Sequence, residues 1–335
     1  IAPLDLAATT TVKARVSDGT RLGAITTATY LRIPESPPNV LMIVGDDFGF
    51  NDLECYGGVS AATPRINALA YQGQRFTQFT TTGPGDAVSQ YALLTARLAK
   101  RGGLAPLIQP NSSGIDSREW TLAEAFRKSG YHTAFIGSWQ LGDQPGSRPN
   151  DQGFALFHGL PWASNIIPAP PLMENGNIVN PSPVNVLEAL TTRAESEIAN
   201  HATDPFFILF QPPSLPATGT SLLGSYGNWI EAIDTATGRL LDQLQTSGVS
   251  NNTLIIFLSD GGANRNVTTY PSGSNGQLRD GKGSTWEGGV RGPLIARWPG
   301  VIPTGDNQAV LWLPDLPLTL VNILDGYQPA DRPLD

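Results

Sequence analysis

Two apolar runs of this 335-residue chain end in carboxylates. NVLMIVGDD (39–47) closes on Asp46 and Asp47, and NTLIIFLSD (252–260) closes on Asp260. Short runs rich in β-branched and aromatic residues and bounded by turn residues are the pattern of strands buried on both faces. In an open α/β sheet ligands bind beyond the carboxyl ends of the strands, so these acids fall where chemistry is expected. A single Asp after a strand is ordinary turn or helix-cap chemistry. A pair plus a third at equivalent strand ends repel one another unless a cation sits among them, and hard oxygen donors suit calcium or magnesium.

The elements that must carry these acids are legible as an alternation. YHTAFIGSW (131–139) and PFFILFQ (205–211) repeat the strand pattern. Between the runs lie helical stretches: ATPRINALAYQGQ with Pro64 near its start, TLAEAFRKSG closed by Gly130, VNVLEALTTRAESEIA, and YGNWIEAIDTATGRLLDQLQTSG closed by Gly248. Strands alternating with helices predict an α/β fold with a largely parallel sheet flanked by helices on both faces. Residues 1–34 read differently. Val12, Ala14 and Val16 alternate before a Ser-Asp-Gly turn, which is hairpin grammar, and PESPPN follows as a Pro-rich joint. The expected division is a β arm or the end of a small β module at 1–34, a joint at 35–38 and an α/β domain over 39–335.

The bulk composition excludes several classes. A formal net charge of -8 and pI near 4.9 argue against a nucleic-acid partner, which needs a basic surface to displace counterions. Charged residues make up 15%, below the roughly 25% of an average domain, which suits a secreted, periplasmic or cell-surface protein or one packed against neighbours. The single cysteine, Cys55, excludes an internal disulfide and a thiolate metal cluster. Among apolar neighbours, a lone small thiol reads as core. No run of about 18 apolar residues predicts a membrane span. The chain opens at Ile1 without a leader pattern, so any signal peptide is expected to be already absent. His132 falls inside a strand, His158 follows aromatic residues and His201 ends a helix, and all three read as structural or surface residues.

PNVLMIVGDDFGFNDLECYGG, ATPRINALAYQGQRFTQF, YALLTAR, GSWQLG, NTLIIFLSDGG and GKGSTWEGGVRGPLIARWPG stand in one order along the chain. In that order and spacing they resemble the sulfatase family of the alkaline-phosphatase superfamily, from residue 38 to about 334. The resemblance implies an alkaline-phosphatase-like α/β sandwich and sulfate-ester hydrolysis. It also implies a chain that stops where the family continues into a smaller C-terminal subdomain. In the family, a Cys in C-x-P-S-R becomes formylglycine, whose hydrate attacks sulfur while a divalent cation and a ring of basic residues hold the sulfate. Anchored on Leu93, Leu94, Thr95 and Arg97, the nucleophile position falls on Asp86, the proline on Val88, the serine on Ser89 and the arginine on Gln90. No formylglycine can form there. The family's lysine and histidine in G-K-W-H-L-G fall on Ser138 and Gln140, a further histidine on Ser214, and a metal-binding asparagine on Gly261. Asp46, Asp47, Asp260 and Lys282 keep the types that the family uses.

A transferring sulfuryl group is stabilised by preorganised cations and donors. Of the five basic side chains that the resemblance implies, Lys282 alone is kept. At about 1.5–3 kcal/mol per charge-assisted contact, losing four forfeits on the order of 6–12 kcal/mol. That is comparable with the whole of an ordinary enzyme's acceleration. Ser89 and Thr95 offer hydroxyls away from the nucleophile position. Asp86 could attack as a carboxylate nucleophile, but its cationic partners are missing. As a metal ligand instead, it would make a set of four with Asp46, Asp47 and Asp260 around a structural calcium. Lys282, in the Gly-rich loop with Trp286, Glu287 and Arg291, is expected at the site as its last basic residue and as the substrate-facing one. The sequence thus points to a pseudo-sulfatase with a structural, assembly or binding role. Two alternatives stand beside it: a hydrolase of sulfate or phosphate esters with an unusual nucleophile, and a non-cleaving binder of sulfated glycans. Protein assembly partners or a sulfated glycan are the partners that fit.

Overall fold

The computed structural model describes residues 10–14, 25–30, 36–59, 61–83, 85–162, 170–214, 224–264 and 273–324. Strands β1 (Thr10–Ala14) and β2 (Thr26–Tyr30) pair antiparallel as a two-stranded sheet of their own. Val16 and the Ser-Asp-Gly turn lie outside the described residues. The remaining chain runs β3 (Asn39–Gly45), α1 (Pro64–Gln72), β4 (Gln74–Phe76), β5 (Phe79–Thr80), α2 (Asp86–Thr95), α3 (Leu122–Lys128), β6 (His132–Ser138), β7 (Leu156–Leu160), β8 (Leu172–Glu174), β9 (Asn177–Asn180), α4 (Val186–Asn200), β10 (Phe206–Gln211), α5 (Gly224–Thr246), β11 (Thr253–Ser259), α6 (Glu287–Val290), β12 (Leu294–Arg297), β13 (Gly305–Asn307), β14 (Leu311–Trp312) and α7 (Asp315–Ile323).

Ten of these strands form one twisted sheet in the order β13-β4-β12-β11-β3-β10-β6-β7-β8-β9. Its middle, β11-β3-β10-β6-β7, is parallel. Antiparallel strands extend it on both sides, β12 and β4 on one and β8 and β9 on the other. This is the α/β sandwich that the alternation predicts, with antiparallel margins added. Side chains along β3 point alternately to two cores. Val40, Met42 and Val44 pack with residues of α2, α3 and α7, while Leu41 and Ile43 pack with residues of α1, α4 and α5. Both faces are therefore covered, and every residue of β3, β10 and β11 is buried.

Parallel pairing brings the carboxyl ends of the middle strands to one edge in register. Ser259 lies opposite Gly45, and Gln211 opposite Gly137. Gly137 sets the closeness of β6 and β10. Its φ is 148°, and a Cβ built there would stand 1.9 Å from the Gln211 carbonyl oxygen. Such a conformation is essentially glycine's alone.

Gly137→Ala should therefore lower stability by about 2–5 kcal/mol, the sum of backbone strain and overlap. Urea unfolding of the variant beside the parent chain measures it. A loss below about 1 kcal/mol would show that the strands can part freely at this point.

Candidate functional site

Asp46 and Asp47 leave the end of β3, Asp260 leaves the end of β11, and Asp86 opens the first turn of α2. One carboxylate oxygen from each of the four lies within 4.8 Å of the others. Lys282 reaches in from the Gly-rich loop, its Nζ donating to Asp47 Oδ2 and, at 2.8 Å, to Asp86 Oδ1. The five residues that the resemblance assigns to the site are thus brought together.

Backbone donors hold part of this charge. The amide of Ser214 donates to Asp46 Oδ2 at 2.6 Å, and the amide of Asp47 donates to Asp260 Oδ1 at 3.1 Å. Asp47 itself has φ 62°, the left-handed region that Asp tolerates better than most residues. Tyr226 braces this corner, its hydroxyl donating to the Asp47 carbonyl at 3.0 Å and to the Asp52 carboxylate.

Burial and mutual repulsion show in the titration of the acids. Burial, with the Asp86 charge next in size, pushes the Asp46 carboxyl up to about 6. Burial and the neighbouring Asp46 charge hold Asp47 and Asp260 well above the usual carboxylate range. For Lys282, burial pulls the ammonium down, but Asp47, Asp46 and Asp86 together outweigh it and its value rises. A lysine fixed as a cation between two acids has little of its charge left for an incoming anion.

The other positions singled out by the resemblance form a neutral network. Gln90 Nε2 donates to Gln211 Oε1 at 2.8 Å and to the Ser138 carbonyl at 3.0 Å, while Gln90 Oε1 accepts from the backbone N–H of Gln140 at 2.8 Å. Gln211 Nε2 passes the chain on to Asp260 Oδ2 at 3.2 Å. Ser89 Oγ donates to the Asp260 carbonyl at 2.6 Å. Gln211 has no place in the sequence reading. Its signal is there all the same: one polar residue closes an apolar run at the level of Asp46 and Asp260.

Two oxygens bear on whether the site fits a cation. Asp46 Oδ1 and Asp47 Oδ1 are buried and have no hydrogen-bond partner among the described residues. Buried polar atoms are normally satisfied, and two orphaned carboxylate oxygens side by side are what a hard cation would take. A side chain at Gly261 would point toward Asp47 Oδ1, its Cβ 3.7 Å away, so the space beside that oxygen is open. The donor set, all carboxylate oxygen, fits calcium or magnesium and not a soft metal.

The histidines fall elsewhere. His132 and His201 stack ring on ring, with centroids 3.6 Å apart, and His158 Nδ1 meets Glu174 Oε2 at 2.9 Å. Cys55 is buried, and burial pushes its thiol up to about 12, which keeps it protonated and inert. Among the described residues no helix is long and apolar enough to cross a membrane.

The chain matches the family model described as Sulfatase over residues 38–327. It is 33% identical over 336 aligned positions to N-acetylgalactosamine-6-sulfatase of Rattus norvegicus, covering 89% of this chain and 64% of that protein. It is likewise 33% identical over 331 positions to arylsulfatase A of Homo sapiens, covering 88% of this chain and 65% of that protein. A structure of Ps i-CgsB solved in complex with k-i-k-neocarrahexaose superposes with a TM-score of 0.82 at 25% identity, covering 90% of this chain and 74% of the other. The chain spans 64% of the length of the rat enzyme. The family model covers residues 38–327 and the relatives of 33% identity cover most of this chain, and the chain belongs to the sulfatase family.

Proposed function

We propose that this sulfatase-family chain keeps the fold and the cation-binding acids but does not cleave sulfate esters, and that it serves as a structural or binding component. One observation carries this: the ammonium of Lys282 is shared between Asp47 and Asp86, with Asp46 and Asp260 beside them. A sulfate ester entering here would meet four carboxylates against one ammonium already engaged. Gln90 and Gln140 stand where the resemblance implies cations, and neither carries a charge; the Gln90 side chain is tied to Gln211 and to the Gln140 backbone N–H. Asp86 as a nucleophile would bring a further negative charge against the ester where Lys282 is already engaged and Gln90 and Gln140 supply no charge. The division into a β arm at 1–34, a joint at 35–38 and the α/β domain belongs to the same proposal, as does a secreted, periplasmic or cell-surface location.

Asp46, Asp47, Asp86 and Asp260 would hold a calcium ion. When bound, it would neutralise charge at the strand ends and tie β3, β11 and α2 together.

A second reading, a binder of sulfated glycans, has an observation of its own. A cavity of about 240 Å³ is lined by Asn111, Trp139, Arg148, Asn150, Trp162 and Met173. Trp139 and Trp162 also line the adjoining hollow that contains Gln140. Asp143 lines it too, its carboxylate accepting from Trp162 Nε1 at 2.8 Å; apolar rings with fixed polar groups of this kind suit a sugar ring, and the Arg148 guanidinium is the group that would meet an anion on it.

The family relatives are named as sulfatases, so turnover is the decisive measurement. With chromogenic sulfate and phosphate esters the purified chain should show no hydrolysis above the buffer rate. Hydrolysis that Asp86→Ala abolishes would overturn the proposal in favour of a hydrolase with an aspartate nucleophile.

The cation makes its own pH dependence. The folded values of Asp46, Asp47 and Asp260 are raised, so in chelator their contribution to stability is complete below about pH 4; that of Asp46 is lost as pH climbs through about 6, and those of Asp47 and Asp260 as pH climbs through their own raised values. Calcium favours the ionised forms. Its gain in melting temperature should therefore be small at pH 5 and large at pH 7.5, worth about 2.7 kcal/mol at one hundred times its Kd. Thermal unfolding with chelator and with calcium at both pH values measures it, and an equal or absent gain at pH 7.5 counts against the ion.

Titration with a sulfated oligosaccharide examines the cavity. Arg148→Ala should weaken binding by at least tenfold, through loss of about 1.5–3 kcal/mol of charge-assisted contact. Equal affinity in the variant would place any glycan elsewhere.

A further inference from the structure

We infer that His132, Glu197 and His201 form a second metal site, one for zinc or a similar borderline transition metal. Glu197 and His201 stand one helical turn apart at the end of α4, so they share a face, and His132 opens β6 beneath that face. One donor atom from each of the three lies within 4.8 Å of the others. The spacings are 2.6 Å from His132 Nε2 to Glu197 Oε2 and 3.7 Å from His201 Nε2 to the same oxygen. Zinc bonds of 2.0–2.2 Å in tetrahedral array hold neighbouring donors about 3.3 Å apart, and the two observed distances bracket that value.

The Glu197 carboxylate is buried, with a relative exposure of 3%, yet it faces two imidazoles. Its hydrogen bond with His132 accounts for one of them. His201 stands beyond hydrogen-bond distance and is held there by its ring stack on His132. Arg193 Nη1 donates to the other oxygen, Oε1, at 2.6 Å, and its Nε donates to Glu174. That contact fixes the carboxylate plane and leaves Oε2 turned toward the rings, the outer-shell arrangement that metal-binding carboxylates use. Both imidazole side chains are partly exposed, 19% and 28%, so solvent can supply a fourth ligand.

The rings now lie nearly parallel, 8° apart, and their lone pairs run side by side. Convergence on one ion needs the His201 ring to turn about its Cβ–Cγ bond. His201 caps the end of α4 and is partly exposed to solvent. The hydrogen bond between His132 and Glu197 gives way at the same time; the Nε2 proton leaves to solvent, and a ring that was neutral takes up one proton at Nδ1 in exchange, so that the ligating imidazole is neutral.

The chain has three histidines, which makes the experiment direct. Chelator-treated protein carrying ¹³C-labelled histidine is saturated with calcium to occupy the aspartates and then titrated with zinc. About one equivalent should bind, shifting the ring signals of His132 and His201 and leaving that of His158 in place. His201→Gln should weaken zinc binding at least tenfold and identifies one of the shifting signals by removing it. No binding, shifts confined to His158, or unchanged affinity in His201→Gln would each overturn the site. The shifts in the parent protein decide the matter even if the variant fails to fold.

Discussion

Like charges brought together by strand register govern this molecule. β3 and β11 run parallel with Ser259 opposite Gly45, so the residues that follow them, Asp46, Asp47 and Asp260, must emerge at one place. α2 adds Asp86 from the other side. At an effective dielectric near 20, two unit charges about 4 Å apart repel by about 4 kcal/mol. Four carboxylates cannot all stay ionised beside a single lysine without help. Two responses are visible. Backbone amides of Ser214 and Asp47 donate into the cluster, and the carboxyls of Asp46, Asp47 and Asp260 hold their protons to higher pH than exposed ones do. A divalent ion would be the third, and Asp46 Oδ1 and Asp47 Oδ1 are turned inward without partners as it would require.

The sheet does not need the site's chemistry in order to form. Its stability comes from strands buried on both faces and from close contacts such as Gly137 against Gln211, none of which involves a catalytic side chain. That separation explains how charged residues can be exchanged for amides at the carboxyl edge with the architecture intact. Gln90 and Gln211 are more than fillers. Buried amides without partners would cost about 1–3 kcal/mol each, and these two side chains bond each other, the Ser138 carbonyl, the Gln140 backbone N–H and Asp260. A pair engaged in this way has few donors to spare for the oxygens of a sulfate.

What the sequence reveals follows from the range of the interactions that decide each element. β3, β6, β10 and β11 start and stop within about two residues of the apolar runs, because two-sided burial leaves a continuous apolar signature that turn residues punctuate. Helices α1, α3, α4 and α5 are equally plain: α3 carries a full capping box between Thr121 and Glu124, and α4 is capped by Asn185. α2 gives no such signal. It starts after Gly85 without a side-chain cap, and most of its residues are buried, so no polar face marks a helical period. The marginal strands β4, β8, β12 and β13 are three or four residues long, too short for alternation to show. Asp46, Asp47 and Asp260 are legible from strand ends alone. Asp86 and Lys282 needed the family resemblance, and Gln211 needed the register.

The histidines mark the limit of local reading most sharply. His132 and His201 are 69 positions apart, and nothing in either neighbourhood foretells that α4 lays one ring on the other across the start of β6. Their place in the sheet has a physical consequence. β6 begins at His132 and ends at Ser138 beside the amide network, so its seven residues, at about 3.3 Å each, span the layer from one edge to the other. The imidazole cluster and the carboxylate cluster therefore lie on the order of 20 Å apart, well beyond the Debye length of about 8 Å at physiological ionic strength. Charge at one edge is screened from the other wherever solvent intervenes, and the two donor sets differ in kind. All-oxygen ligands favour calcium or magnesium, while two imidazoles and a carboxylate favour zinc and its neighbours. One sheet can thus present two chemically distinct cation sites at opposite ends of its strands, each filled according to its donors and without competition from the other.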